Sequence, residues 1–298
     1  MAAPGSIRPR KTSRIGKYAA RTLGALLVIY VAACALFYFE QDNLTFPVPT
    51  HYPAATPLDA GMPFEDLHLP VDGSQQIHAW WIPAAAATKK VLIAFHGNGV
   101  VIEHGFGPYR SLFEYVPLHN LGVNLLVVEY RGYGSSSAVP PSEQRMNEDA
   151  QAAFAYLTTR RRVPGRDVVI LGRSIGTGPA TVLAAQHPEA GGLILMSPFT
   201  SLSDAGRAIW FLRPLPLSLL VRNPFDNLSK INTVHIPVFI TVGADDELTP
   251  PEKAQALFSR ANQPKHFYLV PTAGHMTLTK VGGQALESQL RAFIESLN

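Results

Sequence analysis

The chain has 298 residues, 47% hydrophobic and only 16% charged; ordinary soluble domains carry roughly 25% charge, so part of this chain is expected to avoid water. Of the formal net charge of +3, six cations (Arg8, Arg10, Lys11, Arg14, Lys17 and Arg21) fall in one acid-free block; subtracting them leaves the body at −3, with no basic face for nucleic acid. The one cysteine, Cys34, excludes an internal disulfide and leaves the redox compartment unspecified.

In chain order, the first element is the uncharged stretch 22–39. Its length at about 1.5 Å per residue comes to about 27 Å, close to a bilayer core of about 30 Å. Tyr30, Phe37, Tyr38 and Phe39 place aromatic rings in its second half, where a membrane interface favours them. Six Lys/Arg precede it and none follows until Lys89. The positive-inside bias therefore predicts a single-pass anchor, with residues 1–21 cytosolic and everything after about residue 40 on the extracytoplasmic side. A cleaved signal peptide shares the basic start, but this apolar stretch is long and runs on through Leu36–Phe39. Val31–Cys34 resembles a lipoprotein cleavage site with Cys34 acylated, yet apolar residues follow where a polar tether belongs. Residues 40–63 hold Pro47, Pro49, Pro53, Pro57 and Pro63 and are expected to form an extended linker.

From residue 64 onward, short apolar runs alternate with helical patterns. This order predicts one α/β domain over 64–298, with a mainly parallel sheet flanked by helices. Strands are expected at 77–82, 91–95, 124–129, 167–171, 192–196, 237–242 and 266–270. Helices are expected at about 142–161, 175–187, 251–261 and 283–297, with Ser142 and Thr249-Pro250 as starts. The stretch 198–233 breaks the alternation with Trp210, Phe211 and several leucines around Pro214 and Pro216. It fits either a small cap that accepts an apolar acyl chain or a helix packed on the sheet edge.

Gly172-Arg173-Ser174-Ile175-Gly176 lies between an apolar strand-like run and a helical stretch, the context of a nucleophile elbow. A serine hydroxyl needs a base. Downstream, His275 follows the last expected strand, in keeping with the chain order serine, acid, histidine. His187 and His235 are assigned to structure. The acid should follow the strand at 237–242, where Asp245, Asp246 and Glu247 stand together. Oxyanion donors are expected at the N–H of Ile175 and in the loop His96-Gly97-Asn98-Gly99. There Asn98 supplies its N–H, with its side chain as an additional contact, and His96 buttresses the loop. No CxxC, HExxH or phosphate loop occurs, so neither metal nor cofactor is expected.

The runs FHGNG at 95–99, EYRGYGSS at 129–136, PPSE at 140–143, LGRSIGTGPA at 171–180, SPFTSL at 197–202 and AGHM at 273–276 resemble the Bem-forty-six-like group of single-pass α/β hydrolases. The resemblance covers roughly residues 25–298. It implies the α/β-hydrolase fold, with Ser174 as nucleophile, Asp246 as acid through Gly-x-x-Asp at 243–246, and His275 as base. Asp245 is a departure from the pattern. The resemblance also implies hydrolysis of esters or thioesters, since some relatives remove fatty-acyl groups from proteins. The expected partners are an acyl ester and a membrane. Peptidase, acyltransferase and inactive scaffold are the rival readings, and oligomeric state is unspecified.

Overall fold

The computed structural model describes residues 14–49, 55–105 and 115–297. Arg8, Arg10, Lys11 and Pro53 lie outside the described residues.

The N-terminal helix α1 spans Arg14–Thr45 and is long and apolar enough to cross a bilayer. It runs six residues past the expected end of the anchor. Gln41 and Asp42 look from the sequence like an exit into water, but the body of the protein supplies them with partners. Gln41 donates from Nε2 to the Leu220 carbonyl at 3.0 Å and accepts the Arg222 N–H at 2.7 Å. Asp42 receives Arg222 Nη2 at 2.6 Å and Asn223 Nδ2 at 3.2 Å. The expected extended linker is likewise corrected. Phe46, Ala55 and Met62 are buried, and Pro57–Ala60 forms a 3-10 turn closed by Gly61 at φ 73°. Apolar residues spaced along this segment pack on the body, and that packing outweighs the extended preference of its prolines.

The sheet contains β1 (Glu65–Asp72), β2 (Gln75–Ile82), β3 (Val91–Phe95), β4 (Asn124–Val128), β5 (Val168–Arg173), β6 (Gly192–Met196), β7 (Val238–Gly243) and β8 (Lys265–Val270). Their spatial order is β1-β2-β4-β3-β5-β6-β7-β8. β2 is antiparallel to β1 and β4, and the remaining neighbours are parallel. The central strands are apolar on both faces because helices cover both, as parallel sheets require. Along β3, Val91, Ile93 and Phe95 enter one core layer while Leu92 and Ala94 enter the other. β1 escaped the sequence reading because it is a polar edge strand containing Pro70, identified by its pairing with β2 rather than by its own pattern.

The described helices after α1 are α2 (Tyr115–His119), α3 (Glu143–Ala155), α4 (Thr177–Gln186), α5 (Leu202–Gly206), α6 (Leu217–Leu220), α7 (Asn227–Lys230), α8 (Pro251–Arg260) and α9 (Leu278–Ser296). Ser142 caps α3 by accepting the Arg145 N–H. α3 ends in a π turn at Tyr156–Arg160, and α9 begins five residues earlier than expected, with a kink at Gly283 (φ 44°).

Phe225 joins three of these elements. Fully buried, its ring faces Phe46 below α1 at 6.2 Å, and it lies so close to Gly178 of α4 that a Cβ there would come within 2.3 Å of the ring. Its N–H donates to Glu143 Oε2 at the start of α3. Phe225→Ala is expected to lower unfolding free energy by about 3–5 kcal/mol, read as a shifted urea midpoint.

Candidate active site

β5 ends in a turn that holds Ser174 at φ 51°, a conformation that costs a non-glycine residue energy. The turn closes only because its flanks lack side chains. A Cβ on Gly172 would come within 2.4 Å of the Gly176 carbonyl oxygen, and one on Gly176 within 2.4 Å of that of Phe95. A 3-10 turn, Ser174–Gly176, then leads into α4, whose N-terminal end offers positive potential beside the hydroxyl.

His275 opens the turn between β8 and α9 and brings Nε2 to 3.0 Å from Ser174 Oγ. Its Nδ1 lies 3.0 and 3.1 Å from the two carboxylate oxygens of Asp246, in the loop after β7. Of the three adjacent acids, Asp245 and Glu247 are exposed, and Asp246 is buried against the histidine. The N–H groups of Leu248 and Thr249 and the Thr249 hydroxyl also reach Asp246, at 3.1, 2.8 and 2.9 Å. Burial pushes this carboxyl's pKa up. The hydrogen bond and charge of His275, with donors from Thr249 and Ser197, outweigh burial and hold it below the ordinary value.

Two neighbours carry no sequence signal of their own. Thr249, expected to start a helix, turns its hydroxyl to Asp246 and lies 3.2 Å from His275 Nδ1. Arg173, inside the glycine-flanked motif, buries its guanidinium and donates from Nη2 to the His275 carbonyl at 3.0 Å. Burial brings its pKa down to about 10, against the opposing charge of Asp246.

The loop after β3 faces this group. A Cβ on Gly97 would lie 3.4 Å from that of Ser174, and both Asn98 and Ile175 line the pocket at the serine. The Asn98 side chain, expected to offer an additional contact, has partners within the protein. Its Nδ2 donates to the Thr45 carbonyl at 2.5 Å, and its Oδ1 accepts Tyr133 Oη at 3.1 Å and the Gly99 N–H at 3.0 Å. His96 is fully buried, with Nε2 2.7 Å from Glu129 Oε1, and so supports the loop. Burial first, then the nearby Glu129, pushes the Glu103 carboxyl up. His187 is occupied with Gln151 and Glu189, away from the serine.

The pocket at Ser174 encloses about 210 Å³. The segment 198–233 supplies one wall through Leu202, Ile209, Leu212, Leu217 and Val221; α1 supplies another through Phe37, Gln41, Leu44 and Thr45. The contribution of α1 is absent from the sequence reading. A larger groove of about 850 Å³ lies across β1 and α3, apart from these residues. Among the described residues, no three or more His, Cys, Asp or Glu side chains are grouped to hold a metal.

Residues 91–217 match the α/β-hydrolase fold family. An uncharacterized protein of Mycobacterium tuberculosis is 30% identical over 273 residues, covering 91% of this chain and 90% of that relative. The α/β-hydrolase domain-containing protein WAV2 of Arabidopsis thaliana is 29% identical, with 90% and 91% covered. The human α/β-hydrolase domain-containing protein 17B is 33% identical, with 74% and 71% covered. Among solved structures, an esterase of Pyrococcus furiosus superposes with a TM-score of 0.70 at 20% identity, covering 84% of this chain and 97% of its own, a likeness of fold. The chain belongs to the α/β-hydrolase superfamily and, within it, to the Bem-forty-six-like group.

Because its folded pKa is depressed, Asp246 contributes stability that is present above about pH 4 and lost as pH falls through the lower folded value. The urea-midpoint gap between the native protein and Asp246→Asn should be wide at pH 7 and narrow at about pH 3. A gap equal at both pH values would contradict this.

Proposed function

We propose that the chain is a membrane-anchored serine hydrolase that cleaves carboxylic esters or thioesters through an acyl-enzyme on Ser174. The observation that carries the reading is the continuous Ser174–His275–Asp246 contact chain, with links of 3.0 Å, at a strained strand-to-helix turn. His275 Nε2 takes the hydroxyl proton as Ser174 Oγ attacks the carbonyl carbon, then returns it to the leaving alcohol or thiol. Water enters by the same route in reverse and releases the acid. Asp246 holds the imidazole tautomer and stabilises imidazolium. The N–H groups of Ile175 and Asn98 receive the developing oxyanion.

The aliphatic pocket walls favour an apolar acyl group as the part of the substrate that is held. The 198–233 segment then acts as the cap over that group. Continuity of α1 through Cys34 to Thr45, and its hydrogen bonds to the body, support an uncleaved anchor. In this reading residues 1–21 are cytosolic and the catalytic domain lies on the other side.

Detergent-solubilised protein should react with a fluorophosphonate probe, and Ser174→Ala should abolish labelling. His275→Ala should lower kcat by about 10³-fold or more on any ester accepted. In a series of acyl esters, kcat/KM should rise with chain length; a flat or short-acyl optimum would sink the acyl-pocket reading. Failure of folded protein to label would sink the serine mechanism.

A further inference from the structure

The anchor does not stand clear of the catalytic body. Tyr30 Oη donates to the Pro214 carbonyl at 3.0 Å, Arg222 stacks over the Tyr38 ring at 5.2 Å, and Gln41 bonds Leu220 and Arg222. From Tyr30 to Thr45 is about 22 Å along a helix. The segment 207–222 therefore runs beside half of α1. Tyr30 sits in the middle of the uncharged stretch 22–39, so a bilayer that takes up that stretch must also take up the chain around Pro214.

The segment is suited to such a place. Trp210 is 77% exposed, Leu219 82% and Phe211 53%, and none of them lines the pocket. Its backbone is largely satisfied from within: Ile209, Leu212, Leu215 and Leu217 donate to Gly206, Ile209, Leu212 and Leu215, while Pro214 and Pro216 have no N–H to satisfy. Between Asp204 and Asp226 there is no acid, and of the three cations there Arg222 is paired with Asp42, while Arg207 and Arg213 are exposed. Arginines on long stems can lie along apolar surface and reach lipid phosphates.

We propose that 207–222 is a lip inserted in the bilayer leaflet on the catalytic side, and that it opens the Ser174 pocket toward the hydrocarbon. The same two elements that would meet lipid also wall the pocket, through Phe37 and Leu44 of α1 and Ile209, Leu212 and Val221 of the lip. Substrate then arrives sideways, as an ester whose acyl chain already lies in the leaflet, and only the carbonyl has to rise to Ser174. The substrate half of this inference rests on the serine-hydrolase reading above; insertion of the lip does not.

The full chain, reconstituted in phosphatidylcholine vesicles with plain or brominated acyl chains, tests insertion directly. Trp80 and Trp81 are buried at 3% and 9% exposure, so Trp210 is the tryptophan that lipid can reach. Emission should be quenched by brominated lipid in the native protein, and that quenching should disappear in Trp210→Phe. Equal emission in both vesicles overturns the proposal, as it would if a second copy of the chain covered the patch instead. For substrate entry, Phe211→Glu with Leu219→Glu should cut hydrolysis of a bilayer-dispersed long-acyl ester at least about tenfold. Fluorophosphonate labelling and hydrolysis of a water-soluble short-acyl ester should be unchanged. Unaltered turnover of the bilayer ester overturns sideways entry. If the native chain does not label at all, the serine-hydrolase reading fails, and the quenching result still decides insertion.

Discussion

The turn at the end of β5 is the constraint around which the rest is arranged. Ser174 projects its hydroxyl only while its backbone is held at φ 51°, and such a conformation persists where surroundings overdetermine it. Here the surroundings are backbone. Gly176 presses on the carbonyls of Phe95 and His96, and Gly172 presses on Gly176. The strand carrying the serine and the strand leading to the Asn98 loop are therefore locked at their tips, and pairing between β3 and β5 fixes them along their length. Since β7 and β8 continue the same sheet, the loops bearing Asp246 and His275 emerge at the same edge. Parallel topology thus brings together residues separated by up to 101 positions.

A second layer of polar groups keeps these loops in place. Glu129 at the end of β4 receives His96 Nε2 and the Ile102 N–H at 2.7 and 2.8 Å, and Tyr130 donates to the His96 carbonyl. Arg173 ties the strand to the carbonyl of His275, while Thr249 bridges toward Asp246. None of these side chains reaches Ser174, yet each removes a freedom that would move Ser174, His275 and Asp246 out of line. Buried polar networks of this kind define geometry because leaving any member unpaired is costly.

What the sequence made legible follows from how locally each feature is encoded. The five central strands β3 to β7 are short, predominantly apolar runs, and glycine spacing around Ser174 marks the turn without reference to anything distant. β1 was not legible because its polar, proline-containing run acquires strand character only from its antiparallel neighbour. The end of α1 was misread for the same reason, since Gln41 and Asp42 find partners some 180 residues away. Among three consecutive acids, composition offers nothing to separate Asp246 from Asp245; burial and the approach of His275 do. Arg173 stands at a position the glycine–serine–glycine pattern leaves unspecified, and its burial beneath His275 gives it a task.

The bond between Thr45 and the Asn98 side chain carries an implication for what would follow if α1 were cut from the body. Shedding by a protease cutting within the last turns of α1 would usually be pictured as freeing an intact enzyme. In this molecule a cut just after Leu44 would remove Phe37, Gln41 and Leu44 from the pocket wall and leave Thr45, the acceptor of Asn98, at a free chain end. The released fragment would carry an incomplete pocket rather than an intact one in soluble form. The helix that is long and apolar enough to cross a bilayer is thus part of the pocket's wall, not only a tether to it.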